Sequence, residues 1–188
     1  MKNIIAFDID GVCVDICAHI AKVMFNQEGK NIWRPEPLYY DYFKSYPKLS
    51  RGNVMRTFHT VLSNPQDTPV FPGCAEFFSR LYARSGDTIQ FITARNPKYA
   101  SETHRLVESF CFVPFQIAFS HDRDKAEFMN GFRYFVDDRR RTCIELAQSG
   151  VHAFMPRTSY NRLDRKWYGI TEIDGLPDLS NKIMHFVE

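Results

Sequence analysis

The chain has 188 residues, which suits one domain with an inserted subdomain. Its hydrophobic fraction of 44% and charged fraction of 24% are ordinary for a soluble globular protein, and a formal net charge of +2 gives no basic field that would demand extended nucleic acid. No apolar run approaches the about 20 residues that span a bilayer, and the first residues lack a secretory signal. We therefore expect a cytoplasmic protein that binds neither membranes nor extended nucleic acid.

The cysteines favour a reducing compartment and disfavour a zinc site. None of the five forms a CxxC pair, and no histidine lies at metal-finger spacing from them. An odd number of cysteines without a secretory signal is typical of free thiols in a cytosol. We assign no role to these residues, which are Cys13, Cys17, Cys74, Cys111 and Cys143.

Short apolar runs alternate with segments of helical spacing along most of the chain. The runs do not alternate polar and apolar residues, which predicts strands buried on both faces of a sheet. Helices are predicted over 74–83, where Gly86 follows as a stop signal, from Pro97 onward, and over 141–148. This alternation indicates βαβ units and a parallel sheet. The predicted strands are 4–9, 89–93, 115–119, 134–136 and 151–155.

Residues 16–70 break this rhythm. The stretch has helical pieces but no convincing strand, and prolines and aromatic residues are frequent in it. The regular pattern returns at Phe71-Pro72-Gly73. We interpret 16–70 as a small, mostly helical cap inserted after the first strand, and residues 1–15 with 71–188 as the core domain.

The first predicted strand ends in Asp8-Ile9-Asp10-Gly11. In the turn after a strand the two aspartates can point at one small volume, and Gly11 frees the backbone there. Two close carboxylates do not both ionise cheaply unless a cation intervenes. The pair therefore suits a division of labour in which one carboxylate, kept ionised by Mg²⁺, attacks phosphorus and the other transfers protons. The alternative is a pair of aspartates that caps the next helix.

A second acidic pair, Asp137-Asp138, follows the predicted strand 134–136. Mg²⁺ prefers oxygen ligands and keeps several waters, so one or two protein carboxylates are enough to hold it. The pair is therefore a candidate for the remaining ligands of a cation site that includes Asp8 and Asp10. A solvated turn whose acids pair with the arginines at 139–141 is the alternative.

Two residues between the acidic pairs are candidates for phosphate binding. Thr93 ends an apolar strand, and its hydroxyl and the next backbone N–H, that of Ala94, suit phosphate oxygens at the start of a helix. Lys125 lies in a polar run and offers a point charge to a phosphate and to an attacking carboxylate. Arg123 is a rival for that role, and a solvated surface lysine is the plain alternative. No Walker-type glycine-rich loop is present, which disfavours a kinase.

This set of groups, in this order, resembles the four motifs of the haloacid dehalogenase (HAD) superfamily of phosphohydrolases. The resemblance implies an α/β fold, namely a Rossmann-like three-layer sandwich with a parallel sheet and a small helical cap inserted after the first strand. It implies that Asp8 is the nucleophile and Asp10 the acid/base. It also implies that Mg²⁺ binds the Asp8 carboxylate, the Asp10 carbonyl and Asp137, with Asp138 nearby. The residues that match the motifs are Asp8, Asp10, Gly11, Thr93, Lys125, Asp137 and Asp138.

Two shorter segments resemble the 5'(3')-deoxyribonucleotidase group within that superfamily. They are Asp10-Gly11-Val12 followed by Asp15, and Ser159-Tyr160-Asn161-Arg162 near the C-terminus. This resemblance implies a Mg²⁺-dependent phosphomonoesterase that acts through an aspartyl-phosphate on a small-molecule phosphate ester. A (deoxy)nucleoside monophosphate is the favoured substrate.

Other readings stay open at this level. A sugar phosphate or a polynucleotide 3'-phosphate end is the alternative substrate. A signalling receiver domain also uses acids, Thr and Lys around Mg²⁺, but its acids precede the Thr and Lys, whereas Asp137 follows Lys125 here. A phosphate-binding module without turnover is the third reading, and the complete set of acids, Thr and Lys argues against it.

The cap sequence offers candidates for substrate specificity. Its aromatic residues outnumber what a short, proline-rich insertion needs for its own core, and an aromatic ring can stack on a nucleotide base. The alternative is that these rings pack the cap onto the sheet. The candidates are Trp33, Tyr40, Tyr42 and Phe43.

Overall fold

The computed structural model describes residues 4–28, 50–121, 123–161, 163 and 166–183. In this part of the chain six strands form one parallel sheet in the order β3-β2-β1-β4-β5-β6. The predicted parallel α/β sheet is thereby confirmed. The strands are β1 (Ile5–Phe7), β2 (Ile89–Thr93), β3 (Phe115–Phe119), β4 (Tyr134–Val136), β5 (His152–Pro156) and β6 (Ile170–Ile173).

Six α-helices lie in the described residues, and three short 3₁₀ turns lie between them. None of these helices is long and apolar enough to cross a membrane. The 3₁₀ turns are Pro65–Asp67, Pro97–Tyr99 and Lys125–Phe128. The α-helices are α1 (Ile16–Glu28), α2 (Arg51–Ser63), α3 (Cys74–Ser85), α4 (Ala100–Glu108), α5 (Arg140–Gln148) and α6 (Leu176–Ile183).

Helices cover both faces of the sheet because its central strands are apolar on both sides. On one face, Phe7 packs edge-on against Phe78 of α3, with 5.1 Å between the ring centroids. The same apolar cluster takes in residues of α4 and α6. The neighbouring residue Ala6 points to the other face, where it clusters with Phe135 and with Leu146 of α5. The result is the three-layer sandwich expected from the sequence.

The predicted strands 89–93, 115–119 and 134–136 are confirmed residue for residue. The first strand is shorter than predicted, since the chain turns after Asp8, and β5 begins and ends one residue later than predicted. The prediction missed β6, whose sequence Ile170-Thr171-Glu172-Ile173 is not an apolar run. The reason is that the polar residues Thr171 and Glu172 interrupt its apolar run, whereas β3, the other edge strand, is apolar at four of its five positions.

Helices α1 and α2 belong to the segment predicted to form a cap. They share a separate apolar cluster that includes Ile20 and Val54. The ring of His59 on α2 meets the ring of Tyr99, just before α4, with 5.8 Å between the centroids. Residues 29–49 lie outside the described residues, so the extent of the cap stays a prediction. The same holds for the positions of Trp33, Tyr40, Tyr42 and Phe43.

Candidate active site

The candidate residues meet at the carboxyl ends of three adjacent strands. Asp8 follows β1, Thr93 is the last residue of β2, and Asp137 and Asp138 follow β4. The chain leaves β1 toward β2 and β3 on one side and later builds β4 to β6 on the other. Such a reversal opens a crevice at the strand ends, which is where open α/β sheets bind ligands.

A tight turn follows β1 and aims Asp8 into this crevice. The Asp8 N–H donates to the Val136 carbonyl at 2.8 Å, and the Ile9 carbonyl accepts from three later N–H groups. Gly11 has a φ of +74°, which favours glycine. A Cβ atom at Gly11 would lie 2.0 Å from Asp138 Oδ2. Glycine is therefore required here for two reasons, the backbone conformation and the close approach of Asp138.

Asp8, Asp137 and Asp138 form a buried cluster of carboxylates, with one oxygen of each within 4.8 Å of the others. Lys125 Nζ lies 2.6 Å from Asp8 Oδ2 and 2.7 Å from Asp137 Oδ2. The second oxygen of Asp137 accepts from the Arg139 N–H at 2.7 Å. Three carboxylates and one ammonium leave the cluster with two formal negative charges when all are ionised, which matches the charge of a divalent cation.

The pKa values of two carboxyl groups are raised, mainly by burial and further by this excess of negative charge. Burial raises the pKa of Asp8 to about 7; Lys125 opposes that rise, and the charges of Asp137 and Asp10 add to it. Burial also raises the pKa of Asp138 well above its usual range, with repulsion from Asp137 and Asp8 added. The pKa of Lys125 is raised, because the attraction of Asp137 and Asp8 outweighs its burial. A buried cluster of carboxylate oxygens whose negative charge is not balanced by neighbouring cations fits a Mg²⁺ ion, which prefers oxygen ligands.

Residues after β5 hold Asp138. Tyr160 OH donates a hydrogen bond to Asp138 Oδ2. The buried Asn161 donates from Nδ2 to the carbonyls of Asp138 and Pro156, each at 2.7 Å. Tyr160 and Asn161 were noted in the sequence by resemblance only, and no spacing rule predicted that they contact Asp138.

Asp10 is held apart from this cluster by an arginine that sequence reasoning missed. Arg95 donates from Nε to Asp10 Oδ2 at 2.8 Å and from Nη2 to Asp10 Oδ1 at 2.7 Å. The Arg95 side chain is only 2% exposed, and its buried Nη1 has no hydrogen-bond partner among the described residues. The pKa of Arg95 is raised, since the charge of Asp10 outweighs the effect of burial. The only sequence signal was the position of Arg95 two residues after Thr93.

Thr93 and Ala94 form the turn at the end of β2. Thr93 is fully buried, and its Oγ1 accepts from the Arg95 N–H at 3.3 Å. The Thr93 carbonyl accepts from Ser120 N and Oγ, which ties the ends of β2 and β3 together. Ala94 is exposed. Among the described hydrogen bonds and ion pairs, none joins Thr93 to Asp8 or Lys125.

Lys125, and not Arg123, reaches the carboxylates. Lys125 is buried at the start of a 3₁₀ turn, where Asp124 Oδ1 accepts from the Ala126 N–H at 3.0 Å. Arg123 is exposed, and its guanidinium lies over the Phe128 ring, 4.4 Å from the centroid. The structure thus brings together Asp8, Lys125, Asp137 and Asp138, with Asp10 beside them.

Neither a protein-family model nor a curated protein matches this chain in sequence. Solved structures of the same fold do match it over nearly its whole length. A predicted phosphatase from Clostridium acetobutylicum is 13% identical with a TM-score of 0.67, over 97% of this chain and 98% of that one. An L-2-haloacid dehalogenase from Xanthobacter autotrophicus is 10% identical with a TM-score of 0.62, over 98% and 99%. Protein tyrosine kinase A of Mycobacterium tuberculosis is 13% identical with a TM-score of 0.64, over 95% and 96%.

These likenesses identify the fold as that of the haloacid dehalogenase superfamily, as the sequence motifs predicted. The three proteins are described as a phosphatase, a dehalogenase and a kinase, so the fold is compatible with several activities. The reaction of this chain must therefore be argued from its own residues.

Proposed function

We propose that this protein is a Mg²⁺-dependent phosphomonoesterase that forms an aspartyl-phosphate on Asp8. The observation that supports this best is the setting of Asp8, whose buried carboxylate lies 2.6 Å from Lys125 Nζ and beside the acidic pair Asp137 and Asp138. A buried lysine paired to two aspartates is a costly arrangement for stability alone. It is a suitable one for holding a nucleophile and receiving a phosphoryl group.

Asp8 performs the first half of the proposed reaction. One carboxylate oxygen of Asp8 forms a bond to phosphorus while the bond from phosphorus to the ester oxygen breaks. Lys125 orients the Asp8 carboxylate and offers positive charge to the phosphoryl oxygens. The exposed turn at Ala94 offers its backbone N–H, and Thr93 its hydroxyl, to the same oxygens. A Mg²⁺ ion held by the carboxylates beside Asp8 would supply further positive charge against the phosphoryl oxygens.

Asp10 performs the proton transfers. It gives a proton to the leaving ester oxygen and later takes one from the water that attacks the aspartyl-phosphate. That second attack breaks the bond between phosphorus and the Asp8 oxygen, so Asp8 is regenerated and inorganic phosphate leaves. Asp10 suits this role because its carboxylate lies outside the buried cluster, with 22% of its side chain exposed; to act as the acid it must carry a proton and release one of its two hydrogen bonds from Arg95.

We further propose that Asp138, and not Asp137, is the direct carboxylate ligand from the second acidic pair. Both oxygens of Asp137 are engaged, by Lys125 and by the Arg139 N–H, and its side chain is fully buried; the Asp8 oxygens also accept, from Lys125 and the Ile9 N–H, but 10% of that side chain is exposed. Asp138 gives one oxygen to Tyr160, and no hydrogen bond among the described residues takes the other. This reverses the order expected from the motif match. The proposed ligands are therefore the carboxylates of Asp8 and Asp138 and the carbonyl of Asp10.

A nucleoside monophosphate, with deoxynucleotides favoured, is the proposed substrate. The resemblance of two segments to deoxyribonucleotidases supports it, as does the frequency of aromatic residues over 33–46. The expected reaction partner is thus a small-molecule phosphate ester.

The test is phosphate release by the metal-free protein, with Mg²⁺ added back. We expect Mg²⁺-dependent hydrolysis of p-nitrophenyl phosphate, and a higher kcat/KM for a nucleoside monophosphate in a panel with sugar phosphates and a 3'-phosphorylated oligonucleotide. Turnover that does not require a divalent cation, or its absence with all these esters, contradicts the proposal. Preference for a sugar phosphate or the oligonucleotide contradicts only the substrate assignment.

A further inference from the structure

Two residues after β5, which lie outside the four motifs, donate hydrogen bonds to Asp138. We call Tyr160 and Asn161 the clasp. Asn161 is 2% exposed, and besides its two bonds from Nδ2 its Oδ1 accepts from the Thr158 N–H at 2.9 Å. Asn161 therefore fixes the backbone after β4 to the backbone after β5, and this brings the Tyr160 hydroxyl to the Asp138 carboxylate.

Gly11 also lies against the Asp138 carboxylate. A Cβ atom there would overlap Asp138 Oδ2, so the carboxylate lies against bare backbone. Asp138 is 4% exposed, and its Oδ2, which accepts from the Tyr160 hydroxyl, is also the atom that lies against Gly11. Its side chain is therefore confined to one orientation.

The hydrogen-bond donor that restrains Asp138 is an uncharged hydroxyl, and its lack of charge matters as much as its position. The carboxylates of Asp8 and Asp137 lie close to that of Asp138. Their negative charges repel Asp138 and favour its displacement away from them. Tyr160 opposes that displacement with a neutral donor. A lysine or arginine in its place would neutralise the charge that a cation is expected to balance. The clasp thus holds one oxygen of Asp138 and leaves the cluster short of positive charge.

We infer that the clasp is a positioning element of the metal site, in which Tyr160 holds Asp138 by one oxygen so that the other can bind a divalent cation. This inference rests on the ligand set given in the proposed function. Partners of metal-ligating carboxylates typically change metal affinity by 10- to 100-fold when they are removed.

The test is isothermal titration of metal-free protein with Mg²⁺. Tyr160→Phe deletes only the hydroxyl, and we expect it to raise the Mg²⁺ Kd by about 10-fold. Tyr168→Phe is the matched control, because Tyr168 is fully exposed, and it should leave the Kd unchanged. At saturating Mg²⁺, Tyr160→Phe should recover a kcat near that of the wild type. In the inferred role Tyr160 contacts the metal-ligating Asp138 and not the substrate.

The Mg²⁺-induced rise in Tm gives a second readout on the same variants. A purely structural Tyr160 would lower the Tm of the metal-free protein and leave both the Kd and the Mg²⁺-induced rise as in Tyr168→Phe; that result overturns the inference. Asp138→Asn separates it from the proposed function. If Asp138→Asn binds Mg²⁺ as the wild type does, the ligand set is wrong and the inference falls with it. If Asp138→Asn weakens binding and Tyr160→Phe does not, only the inference is wrong.

Discussion

Arg95 donates hydrogen bonds to both carboxylate oxygens of Asp10, at 2.8 and 2.7 Å, although 84 residues lie between Asp10 and Arg95 in the chain. A planar guanidinium that bonds two oxygens fixes both the position and the plane of a carboxylate. In the part of the chain that the structure describes, the buried Nη1 of Arg95 has no partner, and an unpaired buried donor lowers stability. We therefore propose that Arg95 serves to position the Asp10 carboxylate rather than to stabilise the fold.

The first prediction is that Arg95→Lys mimics a mild form of Asp10→Asn. Lysine keeps the charge but cannot bond both oxygens in one plane. Protonation of the leaving group is typically worth 10²–10⁴-fold, and Asp10→Asn should lose about that much kcat/KM with an alkyl phosphate and far less with an aryl phosphate. Arg95→Lys should also lose more kcat/KM with the alkyl than with the aryl phosphate, with a fold-loss about a tenth of that in Asp10→Asn.

The control for Arg95→Lys is Arg157→Lys, which alters an exposed arginine paired to Asp174. It should leave the alkyl-to-aryl ratio of kcat/KM unchanged. Equal losses with both esters in Asp10→Asn would remove the acid role of Asp10. A bias in Asp10→Asn that is absent in Arg95→Lys would remove only the role of Arg95.

The second prediction concerns the nucleophile. Asp8→Asn should abolish turnover, because the amide lacks the charge that attacks phosphorus, and no phosphorylated protein should form. The variant should stay folded, since it removes a buried carboxylate whose pKa is raised mainly by burial. Phosphate release, intact-protein mass after quenching and thermal melting check this, with Asp174→Asn as an exposed control. Activity within tenfold of the wild type in a preparation free of other phosphatases would exclude Asp8.

The third prediction separates the two aspartates after β4. Asp138→Asn should raise the Mg²⁺ concentration needed for half-maximal activity by at least about tenfold. Asp137→Asn should lower kcat more than Mg²⁺ affinity, because it leaves Lys125 with one carboxylate partner instead of two. Titration of activity with Mg²⁺ distinguishes these patterns. If Asp137→Asn has the larger effect on the Mg²⁺ requirement, the order expected from the motif match is correct after all.

The sheet was predictable where local sequence alone determines burial. Strands such as Ile89–Thr93 follow from apolar runs between turn signals, and their carboxyl ends locate the site. Strand β6 was not predicted because the polar residues Thr171 and Glu172 interrupt its apolar run. Arg95 and Tyr160 were assigned no role from the sequence, since each acts through a contact with a residue far away in the chain.

Lys125 illustrates the difference between a motif and its chemistry. Nothing in its local sequence distinguishes it from the neighbouring Arg123, and only the order of the motifs favoured it. In the structure Lys125 is buried with Asp8 and Asp137, whereas Arg123 is exposed. The choice between them depended on three-dimensional packing that sequence spacing does not encode.

The fourth prediction concerns the aromatic residues of the cap segment. If a base stacks on one of them, alanine at that position should lower kcat/KM for nucleoside monophosphates and spare p-nitrophenyl phosphate. Stacking is worth about 1–3 kcal/mol per base, which corresponds to roughly 5- to 150-fold. The positions are Trp33, Tyr40, Tyr42 and Phe43. Parallel loss of both activities at all four would assign these rings to packing.

The fifth prediction uses two glycines with similar backbone conformations. Gly11 and Gly150 have φ values of +74° and +85°, so alanine at either position should cost about 1–2 kcal/mol from the left-handed backbone alone. A Cβ atom at Gly150 meets nothing within 4 Å, whereas one at Gly11 overlaps the carboxylate of Asp138. Gly11→Ala should therefore lower the free energy of unfolding more than Gly150→Ala does, and it alone should weaken Mg²⁺ binding, because Asp138 must move to make room.

Chemical denaturation and Mg²⁺ titration of both variants measure the two effects separately. Equal Mg²⁺ affinity in the two variants would show that the position of Asp138 against Gly11 does not matter for the cation, and would argue against Asp138 as its ligand.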